Sequence, residues 1–102
     1  MTVKNMSIPE IRRRLFPVFK SKPVRQAILF GSCARGEANR LSDVDLVVDT
    51  GGECLGLPLI ELLLDVTDAL EGAKVEMFEA CEIKPGTPLA RNIDEEGVVI
   101  YG

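Results

Sequence analysis

Histidine and tryptophan are missing from this 102-residue chain, and only five positions are aromatic. Without histidine there is no Ser-His-Asp or Cys-His mechanism and no histidine metal site. The cysteines are three: Cys33, Cys54 and Cys81. They are odd in number, widely spaced and without a Cys-x-x-Cys pattern, which points to free thiols in a reducing cytoplasm rather than to a disulfide framework or a metal. Residues Met1 to Ser7 lack the apolar stretch of a signal peptide, and no run is long enough to span a membrane. A cytoplasmic protein with no membrane partner is expected.

What is present is aliphatic. With 46% apolar residues and room for one core, residues 1–102 are expected to form a single domain. Net charge is −4, but it is unevenly spread: residues 1–40 carry nine Lys/Arg and two acids, whereas residues 41–102 carry three and fourteen. An acidic chain gains little from counterion release, so no long nucleic acid is expected as partner. Arg12, Arg13, Arg14, Lys20, Lys22 and Arg25 form either a basic face for an acidic partner or a solvated helix face.

Ser7-Ile8-Pro9-Glu10 has the form of a capping box, and Ile8, Ile11, Leu15, Val18 and Phe19 recur at helical spacing, predicting a helix over 8–20 that Pro17 should bend or weaken. Lys22-Pro23 breaks the chain before a strand at 25–30. A second strand restarts at Ser42, a loop follows over 50–54, and Gly56-Leu57-Pro58 opens a leucine-rich helix that stops at Gly72. Lys74 to Glu79 reads as a third strand. Thr87 caps another helix with Leu89 and Ile93 inward; Gly97 ends it, and Val98 to Tyr101 is a closing strand. The class is α/β (α+β): a mixed sheet of about four strands covered by helices.

The chemistry gathers over residues 27–49. Ala27 to Phe30 is an apolar run that stops at Gly31-Ser32. Gly31 lets backbone approach a ligand closely, and Ser32 at a helical turn with free N–H groups offers an anion site. In the next strand Asp43 and Asp45 point to one face, and Val44, Leu46 and Val48 to the other. Two carboxylates about 6–7 Å apart at Cα can converge on one hard cation; otherwise they repel. A phosphate cradle beside paired carboxylates suits Mg²⁺-dependent phosphoryl or nucleotidyl transfer. Asp49 shares that face but lies about 13 Å along from Asp45, too far to join one metal.

These residues, Gly31-Ser32-x-x-Arg35-Gly36-x5-Ser42-Asp43-x-Asp45-Leu46, resemble the nucleotidyltransferase motif of the polymerase-β superfamily, and more narrowly the minimal nucleotidyltransferases, which are about this size. The ending Ile93 to Tyr101 is also similar. The resemblance implies a polymerase-β-like fold, ATP as substrate, Mg²⁺ held by Asp43 and Asp45, and transfer of AMP to a hydroxyl. It implies nucleotide contacts by Gly31 and Ser32, with Arg35 either on a phosphate or in a surface ion pair, and Ser42 orienting the turn. Relatives carry a third acid in the strand after the helix, usually in a Val-Asp-hydrophobic pattern. Val75-Glu76-Met77 stands there, so Glu76 is either a metal ligand and proton acceptor or an exposed strand residue; Glu79 is a fallback on the opposite face. Many relatives have Arg where this chain has Cys33, so a phosphate role is not carried over to that position, and Cys33 reads as a small filler rather than a nucleophile.

So little of these 102 residues is left over that another chain is expected to complete the acceptor site. In the resembled family that neighbour is a helical HEPN toxin, the nucleotidyltransferase is its antitoxin, and a toxin tyrosine receives AMP in a hetero-oligomer. The alternatives are an aminoglycoside-type enzyme acting on a small molecule, or an antitoxin that neutralises its partner by binding alone.

Overall fold

The computed structural model describes residues 7–31 and 44–102. Ser7 caps α1 (Ile8–Lys20), its hydroxyl accepting from the Glu10 amide at 3.2 Å. The reciprocal half of the expected capping box is not made. Glu10 instead accepts from Arg14 Nε at 3.1 Å, and Arg14 reaches on to Glu71 at 3.3 Å. Pro17 does not end the helix, which runs on to Lys20. β1 (Gln26–Phe30) and β2 (Val44–Asp49) follow, then α2 (Leu57–Ala69), β3 (Val75–Glu79), a short 3-10 turn (Ala80–Glu82), α3 (Pro88–Glu96) and β4 (Val98–Tyr101).

The four strands form one mixed sheet in the order β3-β2-β1-β4. β1 is antiparallel to both β2 and β4, whereas β2 and β3 are parallel with α2 as their crossover. That parallel pair is what a strand-helix-strand order demands. Alternation along β2 puts Val44, Leu46 and Val48 on the helical side, where they pack with Ile11, Leu15 and Phe19 of α1, Leu62 and Val66 of α2, and Leu70 at its C-terminal cap. Leu15, Leu46, Leu62, Val66 and Leu70 are wholly buried. Each such side chain contributes about 1.5–3 kcal/mol by leaving water, so this aliphatic layer holds the sheet to its helices.

α2 stops at Ala69, with Glu71 and Gly72 both left-handed (φ 59° and 82°) and the Gly72 amide closing on Thr67 O at 2.9 Å. Glycine takes this conformation without penalty, which is how the sequence marks the stop. Four of the six cations named for the basic face make contacts within the chain itself. Besides Arg14, Arg12 donates to Val99 O at 3.0 Å, Lys22 meets Asp65 at 3.2 Å, and Arg25 meets Asp49 at 3.2 Å. The basic face is therefore largely committed to intramolecular contacts. No helix among the described residues is long and apolar enough to cross a membrane.

Candidate active site

The face of the sheet away from α1 and α2 carries the acids. On β2, Asp45 alternates with Val44 and Leu46 and so points away from the leucine core. Its partner on β1 is Phe30, and its partner on β3 is Glu76. Phe30, Asp45 and Glu76 thus form one row across three strands, with neighbouring strands about 4.8 Å apart. The next row is Ile28, Val47 and Phe78. Phe30 of the first row and Phe78 of the second lean together with ring centroids 6.4 Å apart, giving the acids an apolar floor on one side. Asp45 is half-buried and Glu76 is exposed.

Gly31 follows Phe30 at the end of β1 with φ 77°, a left-handed backbone. A Cβ placed there would collide with the Asp45 carboxylate. The dihedral favours glycine at this position, and any side chain here would also have to push the Asp45 carboxylate aside. The carboxylate lies in the space that a side chain would fill, directly against the turn.

Sequence reasoning placed seven residues in the site. The structure brings three of them, Gly31, Asp45 and Glu76, to one end of one sheet face. The other four, Ser32, Arg35, Ser42 and Asp43, lie outside the described residues. Among the described residues, no three acids or thiols converge as a metal cluster. Asp45 and Glu76 are nevertheless hard oxygen donors in register, of the type Mg²⁺ takes alongside substrate phosphates, and Gly31 beside them carries no side chain. The donor set fits the ion.

Asp49, on the same face but four residues on, accepts from Arg25 and from the Gly51 amide at 2.9 Å. It takes no place beside Asp45, as the spacing predicts.

Glu79, the fallback acid, faces the helical side and is wholly buried. One carboxylate oxygen accepts from the Thr50 amide at 2.8 Å, from the Thr50 hydroxyl and from the Gly52 amide at 3.0 Å; the other accepts from the Cys81 amide at 2.6 Å. Burial pushes its pKa up, but the hydrogen bonds from Cys81 and Thr50 outweigh this and hold it down at about 2. The same carboxylate, hydrogen-bonded to the thiol, pushes the Cys81 pKa up. Every acceptor position of Glu79 serves the protein, so it is an anchor tying the end of β3 to the loop after β2. This anchor was not anticipated. Its signal was Thr50-Gly51-Gly52 directly after a strand, a run of small residues whose amides need an acceptor.

With this geometry in view, comparison with known proteins is informative. Residues 14–102 match the polymerase β nucleotidyltransferase family. A Methanocaldococcus jannaschii protein, provisionally named a protein adenylyltransferase, is 34% identical over 80 residues, which cover 78% of this chain and 85% of that one. A solved structure described as a minimal nucleotidyltransferase superposes with a TM-score of 0.68 at 28% identity, covering 91% of this chain and 95% of the other. A toxin–antitoxin complex with AMP-PNP shares the fold, with a TM-score of 0.74 at 21% identity over 89% of this chain and 73% of the other. The sheet order, the parallel β2–β3 pair and the extent of these matches agree: the chain belongs to the polymerase β nucleotidyltransferase family and is a nucleotidyltransferase.

Proposed function

We infer that the chain transfers AMP from ATP to a tyrosine hydroxyl of a helical HEPN-type toxin and so serves as its antitoxin, in a hetero-oligomer. The observation that carries the chemistry is the row Asp45–Glu76 beside the left-handed turn at Gly31. The acceptor is supported by what similar proteins are described as doing. One relative is named for protein adenylylation. A further neighbour in fold, at 17% identity and a TM-score of 0.68 over 93% of this chain and 72% of the other, is a Shewanella oneidensis HEPN toxin, tri-AMPylated, in complex with an MNT antitoxin.

In this reading the acceptor oxygen bonds to the α-phosphorus, the bridging P–O bond to the β-phosphate breaks, and pyrophosphate leaves. Glu76, exposed at the edge strand, takes the hydroxyl proton. Asp43 and Asp45 would hold Mg²⁺, which neutralises phosphate charge when bound. Backbone N–H groups at Gly31 and Ser32 receive the trailing phosphates, Arg35 adds a planar cationic fork, and Ser42 orients the turn into β2. The apolar floor of Phe30 and Phe78 keeps water from one side of the acids.

The test is incubation with α-labelled ATP and Mg²⁺, with and without a co-purified partner. Label on a partner tyrosine is the expected outcome. Label only on an aminoglycoside overturns the acceptor, and tight partner binding with no transfer overturns the reaction.

A further inference from the structure

α2 is apolar on both sides. Its inner face, Leu62 and Val66 with the capping Leu70, is wholly buried. Diametrically opposite, Leu57, Ile60 and Leu64 recur at i, i+3 and i+7 and are 73%, 51% and 62% exposed. Leu55, just before the helix, is exposed as well. A surface helix normally turns charge outward, so an outer stripe of three large aliphatics is the mark of an interaction surface.

Charge selects the occupant. α2 contains no Lys or Arg, and Glu61, Asp65 and Asp68 run along one border of the stripe. Among the described residues only Asp65 meets a cation there, Lys22 at 3.2 Å, and Glu61 and Asp68 are exposed. A second copy laid antiparallel, stripe on stripe, would set these acids against themselves, which is costly. We propose that the outer face of α2 docks an amphipathic helix of a partner protein, one whose two-turn apolar stripe is edged by Lys or Arg. The stripe runs over eight residues, Leu57 to Leu64, about 10 Å along the axis, which matches two turns of such a helix.

This surface stands apart from the transfer site. α2 covers the sheet face that bears Leu46 and Val48, whereas Asp45 and Glu76 face the other way. A helix bound to α2 leaves the acids open. The proposal therefore does not rest on the transfer reaction, and it stands or fails by binding alone.

Two synthetic 18-residue helices test it by calorimetry on the full chain: a Leu/Lys peptide and a Leu/Glu peptide with the same apolar stripe. The Leu/Lys peptide is expected to bind at least tenfold more tightly. The pair Ile60→Ser and Leu64→Ser should weaken it at least tenfold, with the circular dichroism spectrum unchanged. The pair Glu61→Lys and Asp68→Lys should abolish the preference for Lys, whereas Asp94→Lys with Glu95→Lys on α3, an equal change in net charge, should leave affinity within threefold. Equal binding of the two peptides overturns the proposal, as does an equal loss on changing α3. A dimer of the chain alone that the Ile60/Leu64 pair dissociates, seen by sedimentation, also overturns it, by making a second copy the occupant.

Discussion

Asp45 of β2 and Glu76 of β3 are directly paired across a parallel ladder, on the sheet face that the leucine core leaves open. A one-residue slip of either strand would send one acid to the opposite side. The pairing converts two residues 31 positions apart in sequence into one functional row.

If that row carries the reaction, removing either charge should cost rate and not structure. Asp45→Asn and Glu76→Gln are each expected to lower kcat for AMP transfer by about 10²–10⁴-fold, the range for positioned acid–base groups and metal ligands. Glu76→Asp, which restores the family's usual acid, should retain activity within about tenfold of the parent. Single-turnover kinetics with α-labelled ATP measure all three.

Gly31→Ala tests the turn. Its φ of 77° penalises any side chain by about 1 kcal/mol, and the new Cβ would displace the Asp45 carboxylate. Transfer should drop by more than tenfold with only a small fall in Tm. An unchanged rate would mean that the close contact between turn and carboxylate has no catalytic role.

How much of this was legible in the sequence follows from range. The period-two alternation in Val44-Asp45-Leu46 fixed the face of Asp45, and the helical spacing of Ile11, Leu15 and Phe19 fixed that of α1; both are local patterns that burial confirms. The resemblance pointed to Glu76, but pairing with Asp45 depends on register between strands separated by a helix, which no local pattern encodes. The Glu79 anchor was hidden for the same reason: apart from the nearby Cys81, its donors Thr50 and Gly52 lie 29 and 27 residues away. Neither sequence alternative for Arg14, a basic face for an acidic partner or a solvated helix face, includes its ion pair with Glu71, because Glu71 sits beyond α2 in the chain.

Glu79 gives the fold a pH signature. Its folded pKa of about 2 lies below the model-peptide value of 4.5. A depressed carboxylate contributes stability that is fully present above the unfolded value and is lost as pH falls through the folded one. Urea midpoints should therefore decline between pH 4.5 and 2. Glu79→Gln should lower the midpoint at pH 7 and flatten that decline. Glu79→Ala, which strands buried donors, should cost about 3 kcal/mol or more.

The two sides of α2 should respond oppositely to truncation. Leu62→Ala opens a cavity in the core and is expected to cost about 2–5 kcal/mol. Leu64→Ala, at 62% exposure, should stay within about 0.5 kcal/mol. Chemical denaturation of the two variants decides this.

The most direct test of the site is a crystal structure with Mg²⁺ and a non-hydrolysable ATP analogue. The expected result is a metal ion on Asp45, Glu76 on the same side within reach of the α-phosphate, and the trailing phosphates on the amides of the Gly31 turn. Nucleotide bound elsewhere, or a metal ion that leaves Asp45 untouched, would contradict it.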